Sequence, residues 1–149
     1  MEVYRIVLGK YANDLRASGR AARWNSNDVQ VVYTSASQSL ACLENVVHRN
    51  SMGLNAFFKV MYLEMPDNLK IDVVDRDQLP YHWKSFEALH FTQRIGDAWA
   101  SAMSSAVLKV PSSIIATEFN FLLNPLHPDF KRIKLLKSDP FVFDERIKI

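Results

Sequence analysis

Residues 22–48 read ARWNSNDVQVVYTSASQSLACLENVVH, and the fold turns on how this stretch divides. Arg23, Trp24 and Asn25 open it in a polar segment with turn character. Val29 to Thr34 is β-branched and aromatic and reads as a strand, with Val29, Val31 and Tyr33 on one face and Gln30, Val32 and Thr34 on the other. Ser35, with Gln38 three residues on, has the form of a capping box and predicts a helix over 36–49. Leu40, Leu43 and Val47 form its apolar stripe, and Asn50 and Gly53 end it. Glu44 lies among those apolar residues, so it is expected to point toward the sheet or its rim, with His48 as its partner one turn on. A guanidinium, a phenol and a carboxylate brought to one sheet edge suit an anionic, aromatic-bearing ligand.

Outward from that unit, Val3 to Leu8 reads as an opening strand and Tyr11 to Arg20 as a turn region, where either Arg16 or Arg20 could reach a phosphate but both read better as solvated surface. Trp24 is assigned to the core. Ala56 to Met65 is apolar on both faces and reads as a central strand, followed by a strand over 69–74 and a polar connector over 75–84. Ile95, Trp99 and Met103 mark an amphipathic helix from Thr92, in which Gly96 permits close helix–sheet contact and Gln93 and Asp97 are caps or surface. Short strands follow at 107–110 and 118–124, then a rigid loop with a structural His127, a strand over 131–136 and a closing strand over 141–144. Several strands interrupted by two helices make an α+β pattern in one domain spanning 1–149, with mixed or antiparallel sheet. The Gly-rich turns GxGxxG and GxxxxGK[ST] do not occur.

A formal net charge of +2 without a dense basic run argues against direct nucleic-acid binding. Four His and a lone Cys42, scattered without ligand spacing, offer no metal site, and Cys42 reads as a small core residue. No apolar run reaches membrane-spanning length and no signal peptide precedes the first strand, so a cytoplasmic protein is expected.

VYRIV at 3–7, RWN at 23–25, VVYTS at 31–35, LACLE at 40–44, TQRIGDAW at 92–99, VPSSI at 110–114, EFNFLLNPLHPDF at 118–130 and FVFDER at 141–146 occur in one order along nearly the whole chain. That ordered set resembles the RES domain family. Two places depart from it: the family usually has glycine where Ala22 stands, and often one where Asn27 and Asp28 stand.

The resemblance implies the ADP-ribosyltransferase fold and the toxin of a RES/Xre-type toxin–antitoxin pair. It implies NAD as substrate rather than as a resident cofactor, and a helix-turn-helix, Xre-like antitoxin as partner. The reacting set matched by position is Arg23, Tyr33, Glu44 and Ser112. Arg23 would hold a phosphate, Tyr33 would stack on or bond near the nicotinamide ribose, Glu44 would stabilise the oxocarbenium-like centre, and Ser112 would hydrogen-bond the dinucleotide. Water or phosphate is the expected acceptor. Transfer of ADP-ribose to a protein, and a non-catalytic partner-binding module, are the alternatives.

Overall fold

The computed structural model describes residues 1–48 and 56–147. Seven strands form one mixed sheet: β1 (Glu2–Leu8), β2 (Val32–Ser35), β3 (Phe58–Glu64), β4 (Ile71–Val73), β5 (Val107–Pro111), β6 (Phe119–Leu123) and β7 (Lys134–Phe141). Two α-helices accompany it, α1 (Gln38–His48) and α2 (Leu89–Ala102). The strand order is β4-β5-β6-β2-β1-β3-β7, and only β4 and β5 run parallel. The two apolar faces expected of β3 are both buried: Phe58 and Val60 enter the cluster beneath α1 with Ile6, Ala41 and Phe143, while Leu63 joins the opposite cluster with Val3, Val32 and Phe121.

Several sequence expectations shift. The strand expected over 29–34 is β2, which starts at Val32 and runs to Ser35. The late strand is continuous from Lys134 to Phe141 rather than split at 131–136 and 141–144. It lies at the sheet edge, where a proline such as Pro140 is tolerated within a strand. The α1 cap is Ser37, whose Oγ accepts from the Leu40 N–H at 3.1 Å, because Ser35 is still the last residue of β2 and pairs with Tyr4. On α1 the buried side is Leu40 and Ala41, and Leu43 and Val47 are exposed. Glu44, about one turn from both buried residues, therefore faces the sheet. The expected end of this helix at Asn50 and Gly53, and Arg49, lie outside the described residues.

The feature that positions the site is a divergence in the sheet. β1 pairs with β3 continuously from Glu2 to Leu8, but with β2 only at Tyr4 opposite Ser35. Beyond that pair, side chains meet backbone where ladder bonds would run. Arg5 Nη1 donates to the Tyr33 carbonyl at 3.2 Å, and Asn45 Nδ2 of α1 donates to the Ile6 carbonyl at 3.0 Å. The split leaves room between two strands that hydrogen bonding would otherwise close.

Candidate active site

One wall of the split is the 18–29 loop, and its shape follows from Asn25. Its side chain is buried, and Nδ2 donates to the carbonyls of Arg20, Ser26 and Val29 at 2.9 to 3.1 Å. Its Oδ1 accepts a 2.5 Å hydrogen bond from the Tyr33 hydroxyl, which in turn accepts from the Trp24 N–H at 3.1 Å. Burial pushes the Tyr33 phenol well above its ordinary pKa, so it stays protonated and donates. Asp28 stands at φ 70° and Gly19 at φ 73°, and the Asp28 N–H donates to the Gly19 carbonyl at 2.7 Å. Asp28 thus takes the left-handed turn conformation that a glycine would take, so the departure from the family pattern leaves the turn in place. Ala22 and Asn25 close the loop as an isolated bridge.

The α2 helix holds this loop from behind. Thr92 Oγ1 donates to the Arg23 carbonyl at 2.5 Å and Gln93 Nε2 to the Ala22 carbonyl at 2.9 Å. The Asp97 carboxylate accepts from the Ser26 N–H at 2.9 Å and from its hydroxyl at 2.5 Å. At Gly96 a Cβ would come within 1.6 Å of the Trp24 carbonyl oxygen. The glycine therefore serves contact with the loop rather than with the sheet, and Gln93 and Asp97 are loop ligands rather than caps or surface. Trp24 is buried, with its ring 5.9 Å from that of Trp83, so the connector contributes core as well as polar surface. The Trp83 carbonyl accepts from Arg23 Nη1 at 3.0 Å. Burial lowers the Arg23 pKa, while the negative charge of Glu44 opposes that shift.

Facing the loop, Glu44 is held from three sides. Oε1 accepts from Asn120 Nδ2 at 2.7 Å and from Ser112 Oγ at 3.3 Å, and Oε2 meets His48 Nε2 at 3.2 Å. Burial pushes this carboxyl up; hydrogen bonds from His48 and Asn120, the His48 charge and the Ser112 hydroxyl outweigh it, leaving the pKa below its ordinary value. Asn120 is itself fixed, its Oδ1 accepting from Ser35 Oγ at 2.8 Å. Ser112 is fully buried, and its Oγ also accepts from the Ile114 and Ile115 N–H groups.

Arg23, Tyr33 and Glu44 line one cavity of about 620 Å³, together with Arg5, His48 and Asn120. That volume lies in the range of small-molecule sites. Ser112 sits behind it, bonded to Glu44. Asn120 and Arg5 are site residues beyond the set expected from the sequence. Asn120 alternates with Glu118, Leu122 and Asn124 along its strand, so no pattern in the sequence marks it as a partner of Glu44. Arg5 sits inside the opening strand, and burial lowers its pKa to about 10. Among the described residues no three His, Cys, Asp or Glu side chains group as metal ligands would. No described helix is long and apolar enough to cross a membrane.

A family model described as the RES domain matches residues 2–144. The protein named Prs ADP-ribosylating toxin, from Sphingobium sp. strain YBL2, is 38% identical, the match covering 91% of this chain and 88% of that protein. A protein named Toxin Res from Yersinia enterocolitica is 33% identical over 99% of this chain and 100% of its own length. Among solved structures, a chain of the Mycobacterium tuberculosis MbcT–MbcA toxin–antitoxin complex superposes with a TM-score of 0.78 at 16% identity, covering 95% of this chain and 84% of that one. At that identity the likeness shows a shared fold.

Proposed function

The chain belongs to the RES domain family, and from that membership we propose that it is a cytoplasmic toxin that destroys NAD by breaking the nicotinamide–ribose bond. The observation that carries this reading is the pairing, across one cavity, of an ionised Glu44 with the Arg23 guanidinium. Nicotinamide departs neutral, taking the electron pair of the glycosidic bond, and positive charge develops on the ribose. A fixed carboxylate stabilises that charge without needing to reorient. A pKa below the ordinary range makes Glu44 a poor proton acceptor, so charge stabilisation is its principal role and the acceptor proton passes to solvent. Arg23 offers planar donors to a phosphate of the dinucleotide. The Tyr33 ring forms cavity wall while its hydroxyl fixes the loop, and Ser112 acts through Glu44.

With water as acceptor the products are nicotinamide and ADP-ribose, and with phosphate they are nicotinamide and a phosphorylated ADP-ribose. Incubating the protein with NAD and following free nicotinamide tests this reading. Turnover is expected to fall by about two orders of magnitude in Glu44→Ala, on the scale of losing one preorganised charge-stabilising group. Undiminished turnover in Glu44→Ala and Arg23→Ala would overturn it.

A second reading, transfer of ADP-ribose to a protein, is favoured by the printed name of the Sphingobium relative. Intact-mass analysis of candidate targets separates the two. The toxin–antitoxin neighbour supports an antitoxin partner; that this partner is a helix-turn-helix, Xre-like protein covering the Arg23/Glu44 cleft is inferred from the family resemblance.

A further inference from the structure

A second cavity, of about 720 Å³, adjoins the first. Arg5 and Val7 line both, and they are the β1 residues that alternate with Tyr4, Ile6 and Leu8 packed beneath α1. Ser18 and Arg20 are also common to the two walls. The second cavity adds Lys10 and Arg16, giving it four cations against the single carboxylate of Asp14. One hollow thus gathers more positive charge than the net +2 of the whole chain. Asp14 pairs with Arg16 at 2.6 Å, an exposed contact that offsets little of that charge. Among the described residues neither Lys10 nor Arg20 has a carboxylate partner.

We propose that this second cavity is a phosphoanion subsite continuous with the Arg23/Glu44 cavity, with Lys10, Arg16 and Arg20 as its ligands and Arg5 at the junction. Guanidinium forks bind phosphate oxygens two at a time, and a concave wall of predominantly positive charge focuses the field on an anion. Two sources present that chemistry: the adenosine-diphosphate end of the dinucleotide whose nicotinamide ribose lies at Glu44, or a separate phosphate-bearing acceptor. Assigning the source rests on the proposed NAD cleavage; the anion site itself does not.

The test is titration calorimetry with inorganic pyrophosphate on the wild type and on Lys10→Ala/Arg16→Ala, whose side chains are exposed, with unchanged melting temperature as the control for folding. The double variant is expected to bind at least about tenfold more weakly, with a shallower salt dependence; Glu44→Gln should bind no more weakly than wild type. Equal affinity in wild type and double variant overturns the proposal. In turnover assays, a raised KM for NAD at unchanged phosphate dependence assigns the site to the dinucleotide's own phosphates. A raised phosphate requirement at unchanged KM for NAD assigns it to the acceptor. If the wild type releases no nicotinamide yet pyrophosphate binding still depends on Lys10 and Arg16, the proposed activity fails and the subsite stands. If NAD is cleaved but neither binding nor KM responds, the subsite alone fails.

Discussion

Asn120 on β6 donates a 2.7 Å hydrogen bond to Glu44 on α1, and the Ser35 hydroxyl of β2 fixes Asn120 from its other side. The carboxylate is therefore aimed by the sheet, not only by its own helix. It keeps its orientation because strand pairing sets the position of Asn120: Ser35 lies directly opposite it in the β2–β6 ladder. A hydrogen bond to a charged group is worth about 1.5–3 kcal/mol when one partner is removed.

Replacing Asn120 is accordingly expected to lower the rate of nicotinamide release by about 10- to 100-fold, the factor those energies correspond to. Asn120→Asp should be worse than Asn120→Ala, since a second carboxylate beside Glu44 disfavours the ionised form. A pH–rate profile checks this: Asn120→Asp should move the acid limb to higher pH, which a general loss of packing would not do.

Gly96 determines how closely α2 approaches the loop. Because its Cβ would meet backbone rather than a flexible side chain, Gly96→Ala must displace either the helix or Trp24. The cost expected from overpacking is about 1–3 kcal/mol, with loss of activity as Arg23 moves with the loop. Thermal melting measures the first effect. A Thr92→Val variant, which removes the hydrogen bond to the Arg23 carbonyl without adding bulk, tests whether loop position alone lowers turnover.

Asp28 carries the backbone strain of the turn. Its φ of 70° is one that L residues with a Cβ adopt at a cost of roughly 1–2 kcal/mol, partly offset in glycine by greater chain entropy in the unfolded state. Asp28→Gly is thus expected to stabilise the fold by about 0.5–1 kcal/mol and to leave NAD cleavage unchanged. Asp28→Val should destabilise it by about 1–2 kcal/mol or more, a β-branched side chain being worst at such a φ. Chemical denaturation of the two variants beside wild type measures both.

The strand and helix periodicities were legible because they depend on which side chains face the core. Phe58, Val60 and Leu63 alternate as their burial requires, and Ile95 and Trp99 mark the inner side of α2. The elements around Arg23 and Glu44 were legible as elements. What their polar neighbours bond to was not, because hydrogen bonds over long sequence separation leave no periodic trace. Asp97 and Ser26 are 71 residues apart, as are Gln93 and Ala22, and nothing local marks them as partners. The Ser35/Ser37 shift has a similar cause: two serines compete for one cap, and the ladder bond of Ser35 to Tyr4 decides between them. The splitting of β1 from β2 was hidden too, since a strand's sequence shows its faces but not which edge stays unpaired.

His48 sets the pH window of the site. Burial alone would raise the Glu44 carboxyl; the hydrogen bond from His48 is the largest contribution that brings it below its ordinary value of 4.5, followed by the Asn120 hydrogen bond and then the His48 charge. A carboxyl lowered on folding contributes stability that is present above 4.5 and is lost as the pH falls through its depressed folded value. Activity that depends on ionised Glu44 should fade over the same acid range. In His48→Ala, burial regains ground against the hydrogen bonds left from Asn120 and Ser112, so the carboxyl rises and the acid limb of nicotinamide release moves to higher pH. Turnover near neutral pH falls less, because Glu44 remains ionised there. His48→Gln restores a hydrogen-bond donor but not a charge and is expected to lie between the two. Identical acid limbs in wild type and His48→Ala would mean that Asn120 and Ser112 alone keep Glu44 ionised.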